Sequence, residues 1–588
     1  MLRARSVSVL SLLVACATTG PMRPVVVTPV AVAEAAPVVV PAVAPTPGLT
    51  IRFEPLLAAA PSRLAVELTA RGIAARRWAF ASAAAGEPNE LRARDEAGDL
   101  SLVQGREGQA WTVELGRAPV GTLTIRYWLY PGDVSRAGPE LPAGLVLRID
   151  RQRVLAAAEE VLLLPREEPG AAIAVELGLV ASPGLTQVAS TLGGPGWRGT
   201  VRLAELQHAA FLLGPPGHAE FRGLAGEDDF AWAGDTAFDL RWSAAETAGA
   251  RTAVDAYFSA GATRRFVGLM AVDVDFVGGT GMSVFPRGEG LYVAIAPGAQ
   301  WDAAARMAVA HGLVHRWIGG RLRLRGPTGE GPEAGAWFSA GFARAVAREV
   351  LYDLGTLSGR DYADEVNVHE SVRATAPLRR ASNAEVAAAA AGGDAEAQAL
   401  LMARGVLYAT RLAARLKRRV GGGGTLRGLL GELVAEAQAA GVGELPIDAF
   451  TRRVAAQLGS DEVAAFTAGV LAGEVLSLPA DALGPCFVRK PRMYTRFDLG
   501  FDERATMQAT PPTIRGVRAG GPAARAGLKD GEPLLALAID PEDPQEPAMI
   551  TVLRGEREVQ VTYRPSSAPA RGDGWSRRAG ASERECPP

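Results

Sequence analysis

The chain has 588 residues, too many for one ordinary hydrophobic core, so its length predicts several domains. Its 62 Lys and Arg against 64 Asp and Glu give a formal net charge of −2. This balance excludes a strongly basic protein and gives no support to nucleic-acid binding.

The first residues predict export. Arg3 and Arg5 precede an apolar run, "SVSVLSLLVA", that is too short to span a bilayer. The run ends in "LVAC", which resembles the bacterial lipobox and implies that residues 1–16 are a lipoprotein signal peptide with Cys16 acylated. Each buried acyl methylene contributes about 0.8 kcal/mol to anchoring. The alternative is an ordinary signal peptide with a chance cysteine.

This resemblance predicts an exported bacterial envelope lipoprotein that contacts the membrane through its lipid anchor only. Ala17 resembles the outer-membrane sorting pattern, which predicts an outer-membrane protein on the periplasmic or surface face. Residues 17–48 are rich in Pro, Val and Ala with almost no charge, and predict an extended tether.

The pattern of apolar and polar residues divides the chain after residue 48 into several regions. Short alternating apolar runs such as "AWTVELG" and "GTLTIRYWLY" predict an antiparallel β-sandwich over 49–200. Within residues 201–485, strands with a glycine-rich connection precede a series of helices that begins near Trp301. Strand and turn signals return over 492–565, and the polar residues 566–588 predict a disordered tail.

The chain has five histidines, and two of them lie four residues apart in "VAHGLVHRW". Spacing four places His311 and His315 on one face of a helix, where both imidazoles can converge on one metal ion. Taken alone, the pair favours two ordinary histidines on a partly exposed helical face over a metal site.

The surrounding motifs carry a resemblance. "WFSAGFARAV" is similar to the Trp-x-x-Glu-Gly-Phe segment of gluzincin aminopeptidases. The later helices of the glycyl aminopeptidase family, metallopeptidase family sixty-one, resemble two further stretches of this chain, "RGVLYATRLAARLKRRVGGGGTLRGLLGEL" and "DAFTRRVAAQLGSDEVAAFTAGVLAGEVLSLP". The resemblance implies a multidomain α+β fold. Its domains would be a β-sandwich (49–200), a thermolysin-like, mainly helical domain (201–485) and a PDZ domain (492–565).

Residue by residue, the resemblance implies a degenerate site. His311 and His315 stand at the first two zinc-ligand positions, but Gly312 replaces the general base and Ala340 replaces the third ligand. "GGTGM", residues 278–282, has Gly281 and Met282 where the family has Glu and His. A catalytic zinc normally has three protein ligands and a water molecule. We therefore expect a pseudopeptidase that needs no cofactor.

The competing hypothesis is an active zinc aminopeptidase or endopeptidase with rearranged ligands. Glu330 and Glu333, in a Gly/Pro-rich loop, are the candidates for a replacement ligand, while Glu349 lies on the wrong side of its helix. A third hypothesis is an envelope lipoprotein whose domains serve only as spacers.

The C-terminal module resembles bacterial PDZ domains in "RFDLGF" and "GGPAARAGLKDGEPLLAL". The resemblance implies that Leu499, Gly500 and Phe501 form a carboxylate-binding loop for the C-termini of peptides or proteins, with the peptide added as a strand. The alternative is a module that packs against its neighbour and binds nothing.

Besides Cys16, the chain has Cys486 and Cys586. In an oxidising compartment they could form a disulfide closing a loop of about 100 residues, worth up to about 4.7 kcal/mol. The alternative is one buried thiol and one thiol in the tail.

Overall fold

The computed structural model describes residues 47–580 except 83–86, 109, 133–142, 167–169, 216, 224–225, 259–264, 274–275, 277–280, 327–330, 419–423, 442 and 541–542. The predicted signal peptide, nearly all of the tether, Cys16 and Cys586 lie outside these ranges. Among the described helices, none combines the length and apolar character needed to cross a membrane.

The N-terminal region is built from strands with short helical connections. The helical pieces are a 3₁₀ helix (Ala143–Leu145), α1 (Ala158–Val161) and α2 (Leu203–Gln207). The strands are β1 (Gly48–Leu56), β2 (Arg63–Arg71), β3 (Arg77–Phe80), β4 (Asn89–Asp95), β5 (Gly98–Leu100), β6 (Leu102–Glu107), β7 (Ala110–Leu115), β8 (Leu123–Leu129), β9 (Arg148–Ile149), β10 (Val154–Ala157), β11 (Leu164–Pro165), β12 (Ala172–Leu179), β13 (Val188–Ser190), β14 (Arg198–Arg202) and β15 (Ala210–Leu213).

These strands form a seven-stranded sheet (β14-β12-β1-β2-β8-β4-β5) and two four-stranded sheets (β11-β3-β7-β6 and β13-β15-β10-β9). Alternate residues of β1 and β8 are buried, as expected for strands with one face on a core. Two details differ from the sequence prediction. The pair β1–β12 is parallel, and Phe211 and Leu213 belong to the same core as β1, so the region extends beyond residue 200.

The next region is a five-stranded sheet with one long helix. Its elements are β16 (Gly217–Gly223), β17 (Gly226–Ala233), α3 (Leu240–Phe258), β18 (Phe266–Val272), β19 (Met282–Arg287) and β20 (Gly290–Ile295), and the strand order is β16-β17-β18-β20-β19. The middle strands β17, β18 and β20 are parallel, and β19 pairs antiparallel with β20 at one edge. All residues of β18 and β20 are buried, because β10 and β15 pack on one face of this sheet and helices cover the other.

The predicted series of helices is confirmed. They are α4 (Ala303–His315), a 3₁₀ helix (Pro332–Gly335), a π-helix (Trp337–Phe342), α5 (Ala343–Asp353), α6 (Gly359–Thr375), α7 (Asn383–Ala391), α8 (Ala395–Lys417), α9 (Leu426–Ala439), α10 (Ile447–Leu458), α11 (Ser460–Phe466) and a second π-helix (Thr467–Leu471), with β21 (Arg323–Arg325) and β22 (Glu444–Pro446) paired between them. Side-chain oxygens of Ser358, Ser382, Asp394 and Thr425 cap α6, α7, α8 and α9.

The C-terminal part comprises β23 (Phe487–Tyr494), α12 (Glu503–Gln508), α13 (Pro522–Arg525), β24 (Leu534–Ala538), β25 (Ala548–Arg554), β26 (Arg557–Tyr563) and β27 (Ala570–Arg577). Strands β24, β25 and β26 form one sheet, and β23 pairs with β27 along its whole length. The prediction of a disordered tail over 566–588 is therefore wrong for 570–577. This polar strand is ordered by its pairing with β23 and by burial of Trp575 in the helical core.

Candidate active-site remnant

Helix α4 carries the histidine pair, and its two ends are firmly held. Asp302 caps the start, its side chain accepting from the Ala305 N–H at 2.9 Å. Just past the end, Arg316 donates to Asp255 of α3 at 3.1 Å and to Glu289 at 2.9 Å. Trp317 Nε1 also donates to Asp255. These buried contacts fix the position of α4 between α3 and the sheet.

The two imidazoles lie side by side, as their spacing predicts. Their ring centroids are 4.4 Å apart. His311 Nε2 donates to the backbone carbonyl of Ala340 at 3.2 Å, and His315 Nδ1 donates to that of Ile318 at 3.1 Å. Because a carbonyl oxygen only accepts, each of these nitrogens carries the ring proton.

Both histidines are held neutral. Burial lowers the pKa of His311 well below its usual value, and the neighbouring His315 and Arg344 lower it further. Burial also lowers the pKa of His315. The pair therefore presents neutral imidazoles, with Nδ1 of His311 and Nε2 of His315 as the unprotonated nitrogens.

Gly312, at the predicted general-base position, faces the sheet and not an open cavity. A Cβ built on it would lie inside van der Waals contact of Val284 Cγ1 on β19 and 3.1 Å from Leu291 Cδ1 on β20. A glutamate at this position would collide with both strands before its carboxylate reached the histidines. The absence of a side chain at position 312 is thus part of how α4 packs on the sheet.

Ala340, at the predicted third-ligand position, lies in the π-helix Trp337–Phe342. Its side chain offers no ligand atom, and its carbonyl accepts from His311. The segment is clamped against α8, where a Cβ on Gly341 would lie 2.5 Å from the Cα of Gly405. Since the backbones approach this closely, the segment has little freedom to move toward the histidines.

Among the described residues, no candidate replacement ligand completes a metal site with the histidine pair. Glu330 lies outside the described residues, and Glu349 interacts with Tyr257 of α3. Within the described ranges, a single group of three His, Cys, Asp or Glu side chains has ligand atoms mutually within 4.8 Å, and Glu333 is not in it. That group is His218, Glu220 and Asp229 on β16 and β17, where Asp229 is already paired with His218 and Arg265.

Three residues that sequence reasoning missed extend the site. Arg344, one helical turn after Ala340, donates through Nε and Nη2 to Glu365 of α6 at 3.0 and 2.6 Å. His369, four residues after Glu365, is 3% exposed with Nε2 3.8 Å from that carboxylate. Burial lowers the pKa of His369 to about 4. The spacing of Glu365 and His369 was visible in the sequence, but their proximity to α4 depends on how α6 packs.

Comparisons with known proteins follow this geometry. No protein-family model and no curated protein matches the chain. Among solved structures it is similar to an aminopeptidase N family protein from Idiomarina loihiensis, with a TM-score of 0.68 and 16% identity over 90% of this chain and 98% of that one. The chain therefore shares the fold of that aminopeptidase N family protein. At this identity the likeness concerns the fold alone.

Two further solved structures match with TM-scores below 0.5. One is the M1 zinc metallopeptidase from Deinococcus radiodurans (TM-score 0.41, 16% identity, 74% of this chain and 93% of that chain). The other is Legionella pneumophila aminopeptidase A in complex with aspartic acid (TM-score 0.43, 11% identity, 91% and 57%).

The residues present do not fit the zinc ion that this fold implies. A catalytic zinc needs three protein ligands with free lone pairs. Here Nδ1 of His311 and Nε2 of His315 supply only two such nitrogens, position 340 has no ligand atom, and no described carboxylate forms a group with the two histidines. Among the described residues, His311 and His315 therefore do not belong to a three-ligand zinc site.

The predicted peptide-binding residues lie in the separate C-terminal module. Leu499 and Phe501 are buried in its core, and Gly500 adopts a φ of +81° beneath α13. The Gly500 N–H donates to Asp498 at 2.8 Å. In the described part of this module, the loop is followed by α12 and not by a strand to which a peptide could be added. Binding of C-termini at Leu499, Gly500 and Phe501 stays a prediction that this geometry does not favour.

Two other predictions touch residues outside the described ranges. Cys486 is disulfide-bonded, while its predicted partner Cys586 is not described, so the pairing stays a prediction. Of "GGTGM", Gly281 and Met282 are described. Met282 is the buried first residue of β19 and Gly281 has a φ of +70°, so neither offers a charged side chain at the site.

Proposed function

We propose that the protein is an exported lipoprotein built on a glycyl-aminopeptidase-type scaffold that binds peptides without cleaving them. The packing of Gly312 against Val284 carries the proposal. It removes the general base together with the space for one, so the proton of a metal-bound water would have no acceptor. Acid–base groups of this kind contribute about 10²–10⁴-fold to a reaction rate.

Peptide binding is supported by the edge strand beside the remnant. Among the described strands β19 pairs only with β20, which leaves its outer edge unpaired. An extended peptide can add to such an edge through backbone hydrogen bonds. Because β19 lies against α4 at Gly312, a peptide added there would run beside His311 and His315.

Zinc titration of the full chain, purified without added metal, tests the proposal. We expect no zinc binding that depends on His311. The variant His311→Ala shows whether any zinc binding depends on the histidine pair. His218→Ala is the matched control, because His218, Glu220 and Asp229 form a separate group of side chains that could hold a metal ion.

A panel of short peptides is assayed for hydrolysis in parallel, and we expect none. One zinc per chain that is lost in His311→Ala but kept in His218→Ala, together with chelator-sensitive hydrolysis, would overturn the proposal. Those results would establish an active zinc peptidase with rearranged ligands.

A further inference from the structure

Arg344 supplies a guanidinium beside the proposed peptide cleft, which is bounded by the outer edge of β19 and the histidine pair. Arg344 lies four residues after Ala340 on the same side of the helix, and its side chain is 21% exposed. It is close enough to His311 to act on its charge state, as are His315 and His369.

Arg344 has N–H donors that its contact with Glu365 does not use. Glu365 accepts from its Nε and Nη2, and Nη1 makes no hydrogen bond to a described residue. A guanidinium carries five N–H donors in a rigid fork that matches a carboxylate. Glu365 therefore orients the group and leaves part of the fork for a second acceptor.

A second side chain, His369, lies next to the Glu365 carboxylate. His369 is buried, with Nε2 3.8 Å from the carboxylate and neither ring nitrogen hydrogen-bonded to a described residue. The Glu365 side chain is 15% exposed and its two oxygens point at Arg344. A ligand with a positive end, such as a peptide α-ammonium, would have to compete with Arg344 for this carboxylate.

We propose that Arg344 is the specificity-determining residue of the cleft and binds a peptide carboxylate. This rests on the proposed function, because it names the ligand class of the same cleft. The carboxylate could be a C-terminus or an Asp or Glu side chain, since both present the same two oxygens. Helix α4 links the two features: Gly312 packs on Val284 of β19, and His311 beside it donates to the carbonyl of Ala340, one turn before Arg344.

Three pools of fluorescently labelled hexapeptides of random sequence test the proposal by anisotropy on the full chain. One pool ends in a carboxylate and one in a carboxamide, and the third ends in a carboxamide but contains a fixed glutamate. We expect the carboxylate pool to bind about tenfold or more tightly than the carboxamide pool. The third pool shows whether a side-chain carboxylate serves as well.

Arg344→Met should abolish the difference between the pools, and Arg344→Lys should keep part of it because a point charge remains. Arg360→Met is the matched control, since Arg360 is an exposed arginine on the same neighbouring helix α6. If Arg344→Met does not fold, the double variant Arg344→Met/Glu365→Gln removes the unpaired carboxylate as well.

The outcomes separate the two proposals. Equal binding of carboxylate and carboxamide pools, unchanged in Arg344→Met, would overturn the role of Arg344 and leave peptide binding standing. Binding of no pool to the unmodified chain would overturn both.

Discussion

At the scale of single residues, one glycine decides more about the site than the two histidines do. His311 and His315 face each other as expected from their spacing. Whether they could take part in catalysis depends on a base beside them. At position 312 there is none, because Gly312 has no side chain and Val284 fills the space. A glutamate introduced at position 312 alone would therefore collide with Val284.

We predict that Gly312→Ala destabilises the protein by about 1–3 kcal/mol, since a methyl group must be forced against Val284. Denaturant unfolding measures this change. Gly249→Ala in α3 is the matched control: nothing lies within 4 Å of its Cβ, so it should gain up to about 1 kcal/mol from helix propensity. Equal stabilisation by both variants would show that position 312 has open space.

A second residue-scale prediction concerns Glu160, which is 1% exposed and accepts from the Leu147 N–H at 2.5 Å. Burial raises its pKa to about 8 from an ordinary value of 4.5. Between these pH values the unfolded chain releases the proton while the folded chain retains it. The stability that this group contributes is full below pH 4.5 and is lost as pH rises toward 8.

Glu160→Gln removes this dependence because an amide does not ionise. We expect the variant to gain stability relative to the unmodified chain as pH rises from 4.5 to 8, by up to a few kcal/mol. Unfolding midpoints measured across that range test it, with the exposed Glu556→Gln as control. A constant difference between the two proteins at every pH would contradict the prediction.

At the scale of elements, the C-terminal strand β27 is attached to α6 as well as to β23. Asn367 Nδ2 donates to the Trp575 carbonyl at 2.9 Å, and the Trp575 N–H donates to Asn367 Oδ1 at 2.7 Å. One side chain thus satisfies both backbone groups of a buried residue, as a neighbouring strand would. This explains why a polar tail segment is ordered.

We predict that Asn367→Ala lowers the free energy of unfolding by about 1–3 kcal/mol, because both backbone groups of Trp575 lose their partner while buried. Hydrogen exchange at the Trp575 amide should become faster in the variant. Asn89→Ala is the control, since the Asn89 side chain makes a hydrogen bond at the surface. Unchanged protection of Trp575 would mean that β23 alone holds the strand.

At the scale of the whole molecule, the chain from 487 to 577 is integrated with the helical region. Phe487 of β23 and Trp575 of β27 belong to the same hydrophobic core as α4, α5 and α6. The last strand therefore contributes to the stability of helices more than 200 residues earlier in the chain. A domain boundary placed at residue 566 on the basis of local composition would separate Trp575 from the rest of this core.

Two truncations test this integration. Ending the chain after Pro565 removes β27 and should lower stability by about 3–5 kcal/mol from the loss of Trp575 alone. Ending it after Gly580 should leave the core intact. Both are compared with the full chain by thermal unfolding under reducing conditions, so that the Cys486 disulfide contributes to none. Equal stability of the two truncations would show that β27 is dispensable.

The helices were largely predictable from the sequence, because apolar spacing and capping residues act within a few residues of each other. Asp302 before "AAARMAVAHGLVH" predicts where α4 begins, and the Gly-Gly pair after Ile318 predicts where it stops. The sequence also showed that positions 312 and 340 carry no acidic side chain, since this depends only on residue identity. The parallel pairing of β1 with β12 was not, because no local pattern encodes which distant strand is the neighbour.

The sequence by itself therefore determined the helix carrying His311 and His315, their shared face, and the absence of a glutamate at Gly312 and Ala340. Only the tertiary structure decided that Val284 fills the place of the base, that Arg344, Glu365 and His369 meet beside the histidines, and that Ala570–Arg577 is a strand. The physical reason is distance along the chain. Periodicity and capping are local, whereas close packing and ion pairs join residues tens to hundreds of positions apart.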